Sequence, residues 1–283
     1  MNIFGLKYFG IFFLIISFFS FFNIIYSYYF DLYTSINSYF YTFLISLSLG
    51  FFFIFKKLKI IKITIYNKIS AVIAGYIILP IIITIPFSLN LNNISLLDCY
   101  FEAISGFTST GFTIFDNMRH LDESLIIWRS SSQWIGGLYF LFSIILLIDI
   151  FDNNLKNSLT NFISFNTTET FKQTIKILIL YSSLTIFIFL ILNLINLRVF
   201  DSLNLSMTII SSGGFIPVNK IDLVINNQLS RIIFSILMLL SFFSLFLVYN
   251  LIFLKKKNIN FFLEDFHLSI YLIALIVIFF VFF

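Results

Sequence analysis

The stretch EAISGFTSTGFTIFDN, Glu102 to Asn117, holds its chemistry in Thr108, Ser109, Thr110 and Gly111. These residues offer closely spaced hydroxyl and carbonyl oxygens, with no base beside them to activate a nucleophile. Glycine permits backbone conformations that turn successive carbonyls toward one axis. Oxygens arranged in that way replace the hydration shell of a monovalent cation. Acids at the outer mouth, Glu102 and Asp116, would raise the local cation concentration. Nothing points to an enzyme: no Ser-His-Asp, Walker or GxGxxG constellation stands in a suitable context. One cysteine, Cys99, and two histidines without HxxxH or CxxC spacing support neither a disulfide nor a structural metal site. No cofactor is expected, and no nucleic-acid partner.

The motif occurs twice. Sliding the chain by 103 residues lays LDCYFEAISGFTSTGFTIFDN (from Leu97) on FDSLNLSMTIISSGGFIPVNK (from Phe200). Asp98 falls on Asp201, Thr108 on Ser211, Gly111 on Gly214 and Phe112 on Phe215. Each copy opens on an aspartate placed to cap or start a helix of about three turns. Each then runs into a hydroxyl-rich loop that ends in Gly-Phe. The second oxygen-bearing set is Ser211, Ser212, Gly213 and Gly214.

The surrounding elements must hold these loops in a bilayer. The 283 residues are 60% hydrophobic and 11% charged, with a mean hydropathy of +1.03, against about 25% charged in an ordinary soluble domain. Apolar windows long enough to span predict helices over 8–29, 39–55, 69–88, 124–151, 174–194 and 229–254, with a last apolar run over 268–283. The first reads as an uncleaved helix, since no small-x-small cleavage site follows it. The 42 phenylalanines reflect the coding bias of an AT-rich genome and serve as lipid-facing or packing residues. The fold class expected is all-α integral membrane: two N-terminal transmembrane helices with a basic loop (1–68), a helix–pore loop–helix repeat (69–172), a second (173–257) and the start of a third (258–283).

Charge fixes the sidedness. Lys7, the loop from Lys56 to Lys68, Lys156, Lys172, Lys176 and Lys255 to Lys257 share one side. The other side carries Arg119, Arg198 and Lys220 against Asp31, Asp98, Asp116, Asp122, Glu123, Asp201 and Asp222. The positive-inside rule places the N-terminus in the cytoplasm and both glycine loops outside. Arg129 near the outer start of its helix either anchors the short helix through Glu102 or snorkels to the interface. Gln133, Gly136 and Gly137 read as close helix packing.

The run DCYFEAISGFTSTGFTIFDNM followed by SLIIWRSSSQWIGGLYFL resembles the Trk/Ktr/HKT superfamily of potassium and sodium transporters, most closely the TrkH type. The residues that carry the likeness include Trp128, Arg129, Gln133, Trp134, Gly136 and Gly137. The resemblance implies potassium as the transported substrate, a pseudo-fourfold pore and the cytoplasmic (inner) membrane of a bacterium. It implies ion-binding filter residues at Thr108 to Gly111 and Ser211 to Gly214, with potassium held at Thr108, Thr110, Gly111, Ser212 and Gly214. Asp98, Glu102, Arg129 and Asp201 would support the pore helices. Serine in place of a first filter glycine goes with sodium preference in this superfamily, so Gly111 and Gly214 favour potassium. Homodimers and a cytoplasmic nucleotide-binding regulatory subunit are the implied partners.

Such proteins carry four pore repeats, and only two are recognisable here. The run over 268–283 gives about 24 Å of helix against a core of roughly 30 Å. This leaves three expectations: a split or truncated frame completed by a second chain with repeats three and four, a two-repeat chain that oligomerises, or a decayed gene. A non-conducting scaffold is the alternative function. Its basic loops would dock regulators or anionic headgroups.

Overall fold

The computed structural model describes residues 3–56, 65–91, 93–147, 167–225 and 227–242, together with Ile270 and Ala274. The regular elements among the described residues are helices. We number the α-helices α1 (Ile3–Tyr29), α2 (Tyr33–Phe55), α3 (Ile65–Asn90), α4 (Leu96–Phe107), α5 (Glu123–Leu147), α6 (Thr167–Leu194), α7 (Val199–Ile210) and α8 (Gln228–Phe242). Four of them, α1, α2, α3 and α6, contain windows long and apolar enough to cross a membrane. The chain is a multi-pass membrane protein. At 12 residues each, α4 and α7 reach only about 18 Å and do not span.

Helix α2 begins at Tyr33, six residues before the predicted start. Asp31 takes a positive φ of 57°, and the amide of Leu32 donates to the carbonyl of Ser27. The aromatic stretch therefore turns over within a few residues. Helices α1 and α2 then pack antiparallel along a small-residue seam. Gly10 lies against Gly50 and Ile54, and Gly50 against Leu14. Ser38, Thr42 and Ser46 are buried on α2, yet each hydroxyl donates to a carbonyl of its own helix. Hydroxyls satisfied in this way need no partner across the interface, so the helices approach closely. Phe18, Phe21, Phe40, Phe51 and Phe55 point outward, where an apolar solvent suits them.

Helix α3 contains Pro80 and Pro86. A helical proline gives no amide hydrogen and disturbs the carbonyls a turn before it. Neighbouring side chains supply donors at both places, as membrane helices require. The Tyr100 hydroxyl donates to the carbonyl of Ile77 at 3.2 Å, and Trp128 Nε1 to that of Ile83 at 2.9 Å.

Helix α5 is buried on every face from Ser124 to Gly136. A helix with no solvent stripe is a central one, and α5 touches α1, α3, α4, α6 and α7. Its N-terminal end meets the ends of α1 and α2 through Tyr26–Glu123 and Ser35–Asp122 hydrogen bonds of 2.6 and 3.0 Å. Its far half meets the start of α3, where the Tyr139 hydroxyl donates to the carbonyl of Val72. Lys56 and Lys68 thus lie at the opposite end of the bundle from Asp122 and Glu123, in keeping with the charge pattern. The basic segments 57–64 and 255–257, the ends of the predicted helices beyond Leu147 and Phe242, and the third repeat over 258–283 fall outside the described residues, Ile270 and Ala274 excepted.

Candidate functional site

The short helices α4 and α7 begin and end in corresponding ways. Both start two residues before their aspartates, which occupy the third helical position rather than the cap. The cap of α4 is Ser95. Its hydroxyl accepts from the amide of Asp98 at 3.2 Å and donates to the Asp98 carboxylate at 2.7 Å. This reciprocal arrangement satisfies an orphan amide at the helix start. Helix α7 has Arg198 at the cap with no side-chain capping hydrogen bond, and Asp201 is buried. Burial pushes the Asp201 carboxyl above its ordinary value, and the Arg198 guanidinium opposes that shift.

At their C-terminal ends the two helices match bond for bond at the 103-residue offset. The amide of Ser109 donates to the carbonyl of Gly106, and that of Thr110 to Ser105. Likewise Ser212 donates to Ile209, and Gly213 to Thr208. Ser109 and Ser212 take left-handed φ values of 54° and 52°. This is the Schellman termination, with serine in the position that glycine usually fills. Thr108 and Ser211 return their hydroxyls to Ile104 and Met207 of their own helices.

The termination consumes the last helical carbonyls and then releases the loop. No described residue donates to the carbonyl oxygens of Thr108, Ser109, Thr110 or Gly111, or of Ser211, Ser212, Gly213 or Gly214. Thr108, Thr110, Ser212 and Gly214 are exposed, and the Thr108 and Thr110 hydroxyls share a 2.7 Å hydrogen bond. Ser211 is buried, and Ser109, Gly111 and Gly213 are half-buried. The loops meet at their glycines: a Cβ on Gly111 would lie 2.6 Å from Cα of Gly214. Gly111 has φ of +80°, so it is glycine for both space and conformation.

The first loop is anchored by a buried ion pair. Arg129 Nε donates to Glu102 Oε1 at 2.7 Å, and both side chains are almost fully buried. The Glu102 carboxylate also accepts from the Thr113 hydroxyl and, at 3.0 Å, from the amide of Ile114. Arg129 Nη2 reaches Thr113 Oγ1 at 3.0 Å, and the guanidinium lies 4.2 Å from the centre of the Phe215 ring. Arg129 thus ties α4, α5, the first loop and a residue of the second repeat together; it does not snorkel.

Among the described residues, the second loop has no such pair. The residue 103 positions after Glu102 is Leu205, and Arg231 near the start of α8 joins exposed Asp222 at 3.3 Å instead. The loop leans on Gln133, wholly buried on α5. The hydrogen-bond network orients its carboxamide with the oxygen toward the loop, where it accepts from the amides of Gly214 at 3.0 Å and Phe215 at 3.1 Å. Gly136 lies directly on the carbonyl of Phe107, and Gly137 on Tyr181 and Ser211. The expectation of close packing holds for these glycines, whereas Gln133 does more than pack. Beyond the loops, Asn219 accepts from the amide of Met118 at 2.6 Å and donates to Asn117 at 2.8 Å, which joins the two outer segments.

No protein-family model matches the chain. It is 31% identical over 160 residues to an uncharacterized cation transporter of Methanocaldococcus jannaschii, covering 53% of this chain and 32% of that protein. It is 28% identical over 187 residues to the Trk system potassium uptake protein TrkG of Escherichia coli, covering 64% and 38%. The crystal structure of the potassium transporter TrkH from Vibrio parahaemolyticus superposes with a TM-score of 0.57 at 21% identity, over 76% of this chain and 44% of that one. The chain thus spans about a third of the length of the first of these relatives and under half of the others.

Proposed function

We propose that the chain, which resembles Trk-type potassium transporters in sequence and shares the fold of one of them, is a member of that superfamily, and that its two loops form part of a filter through which potassium crosses a membrane. The observation that carries this reading is the repeated loop ending. Two short helices stop on matching bonds and leave two runs of four loop carbonyls to which no described residue donates. Unclaimed carbonyls in a lipid-embedded protein need a polar occupant, and neutral oxygens in such number suit a dehydrated monovalent cation. The filter residues are Thr108 to Gly111 and Ser211 to Gly214, with potassium against Thr108, Thr110, Gly111, Ser212 and Gly214.

Two loops supply half of a four-loop ring. The remaining half comes from a second copy of this chain or from a chain that carries further repeats. A cytoplasmic nucleotide-binding regulatory subunit would dock on the lysine-bearing side, and the membrane is the cytoplasmic membrane of a bacterium with the N-terminus inside.

One observation favours the second reading, a half-subunit that does not conduct by itself: Gly111 and Gly214 close directly on each other, so no ion passes between the loops of one chain. Growth of a bacterium that lacks its own potassium uptake systems, at limiting potassium, separates the readings. We expect rescue when the chain is co-expressed with a partner that supplies two more such loops. Rescue by the chain alone would mean that copies of it complete the ring. No rescue in either setting, with both proteins in the membrane, would overturn the transport reading in favour of a scaffold.

A further inference from the structure

We infer that Gln133 is a positioning residue for the ion ligands of the second loop, an inference that rests on the filter reading above. The argument is one of peptide geometry. In a planar trans peptide the N–H and the preceding carbonyl point in opposite directions. The amide of Gly214 shares its peptide plane with the carbonyl of Gly213, and the amide of Phe215 with that of Gly214. Both amides point at the Gln133 oxygen, at 3.0 and 3.1 Å. Both carbonyls therefore point away from α5, toward the exposed face of the loop.

Two further observations fit this role. A Cβ at Gly213 would fall inside the Gln133 carboxamide, while Gly213 is not among the residues with positive φ. Gly213 is thus glycine to admit Gln133, not to reach a special conformation. Its counterpart 103 positions earlier is Thr110, in a loop braced by Glu102 at Thr113 and Ile114 instead. The two loops share a helix ending but take their support from different groups at different places. A buried acceptor that serves two amides matters because removing it strands both. The consequence falls on the direction of two ion-facing oxygens and hence on selectivity.

The test uses the full chain in lipid nanodiscs and reads its melting temperature as potassium chloride or sodium chloride is added. Q133L keeps the size and removes the acceptor; Q133E keeps an acceptor oxygen. We expect potassium to stabilise the wild type at lower concentration than sodium. Q133L should raise the potassium midpoint about tenfold and narrow its separation from sodium, and Q133E should recover most of the difference. If Q133L fails to insert, Q133N, whose amide is too short to reach the loop, reports the same quantity. A folded Q133L or Q133N with wild-type midpoints for both ions would overturn the inference and leave Gln133 as packing. Loss of the potassium response in Gly214→Ala, with Q133L unaffected, would spare the filter reading and sink only the role of Gln133. A wild type indifferent to potassium both alone and together with a partner chain that supplies two more loops would overturn both.

Discussion

At the scale of single residues the strongest commitment is the Glu102–Arg129 pair. Removing one partner leaves the other charged and buried, at a cost of about 3–5 kcal/mol. Glu102→Gln and Arg129→Met should each lower the melting temperature and folded yield sharply, and the double variant should cost less than the two singles combined. Thermal unfolding in detergent checks this; additive losses would mean that the pair contributes no coupling. The glycines give a second test. Gly111→Ala meets backbone at 2.6 Å in a left-handed conformation, whereas a Cβ on Gly214 first meets Cα of Gly111 at 3.2 Å at an ordinary φ. Gly111→Ala should therefore destabilise by about 2 kcal/mol and more than Gly214→Ala. Equal losses would count against the loop contact. Sequence reading reached Glu102 because an acid in an apolar short helix needs a partner. It missed Ser95, although the Ser-x-x-Asp spacing of a reciprocal cap was there to be read.

At the scale of elements the helix endings decide what the loops can present. Serine in a left-handed C-terminal position costs roughly 1 kcal/mol relative to glycine. Ser109→Gly and Ser212→Gly should each raise stability by about 0.5–1 kcal/mol in a thermal melt, since both positions have φ near +53°. A fall in stability would mean that the serine side chains hold contacts of their own. Hydropathy revealed the spanning helices, and the recurrence of Asp and Gly-Phe revealed the paired loops, because both patterns are local. The left-handed serines were not legible, since serine carries no mark of positive φ. The early start of α2 was hidden by Tyr33 and its neighbours, which look like an aromatic interface belt until the turn at Asp31 is seen.

At the scale of the whole molecule, α5 connects the two halves. Arg129 serves the first loop and Gln133, one helical turn further on, serves the second. Arg129→Met should therefore raise amide hydrogen exchange in both loops, at Gly214 as well as Gly111. Arg231→Met removes an exposed pair, worth about 0–1 kcal/mol, and a hydrogen bond to the carbonyl of Ile225, and should leave both loops protected. Hydrogen exchange by mass spectrometry separates the two; a change confined to the first loop in Arg129→Met would argue against the coupling. This connection was invisible in the sequence because Gln133 and Phe215 are 82 residues apart, and a repeat leads one to expect each copy to carry its own support.

That uneven support bears on how such a chain can change over time. Where the first copy keeps an acid at position 102, the second has Leu205 and relies on a residue that belongs to the first. The copies are no longer interchangeable modules. A second repeat exchanged with a relative inherits its loop but not the glutamine that shapes it, and a change at one buried turn of α5 is felt in both repeats at once. Drift at positions 129 and 133 is constrained by two loops together, so a new ion preference is more accessible through the exposed hydroxyls of Thr108, Thr110 and Ser212 than through the helix behind them.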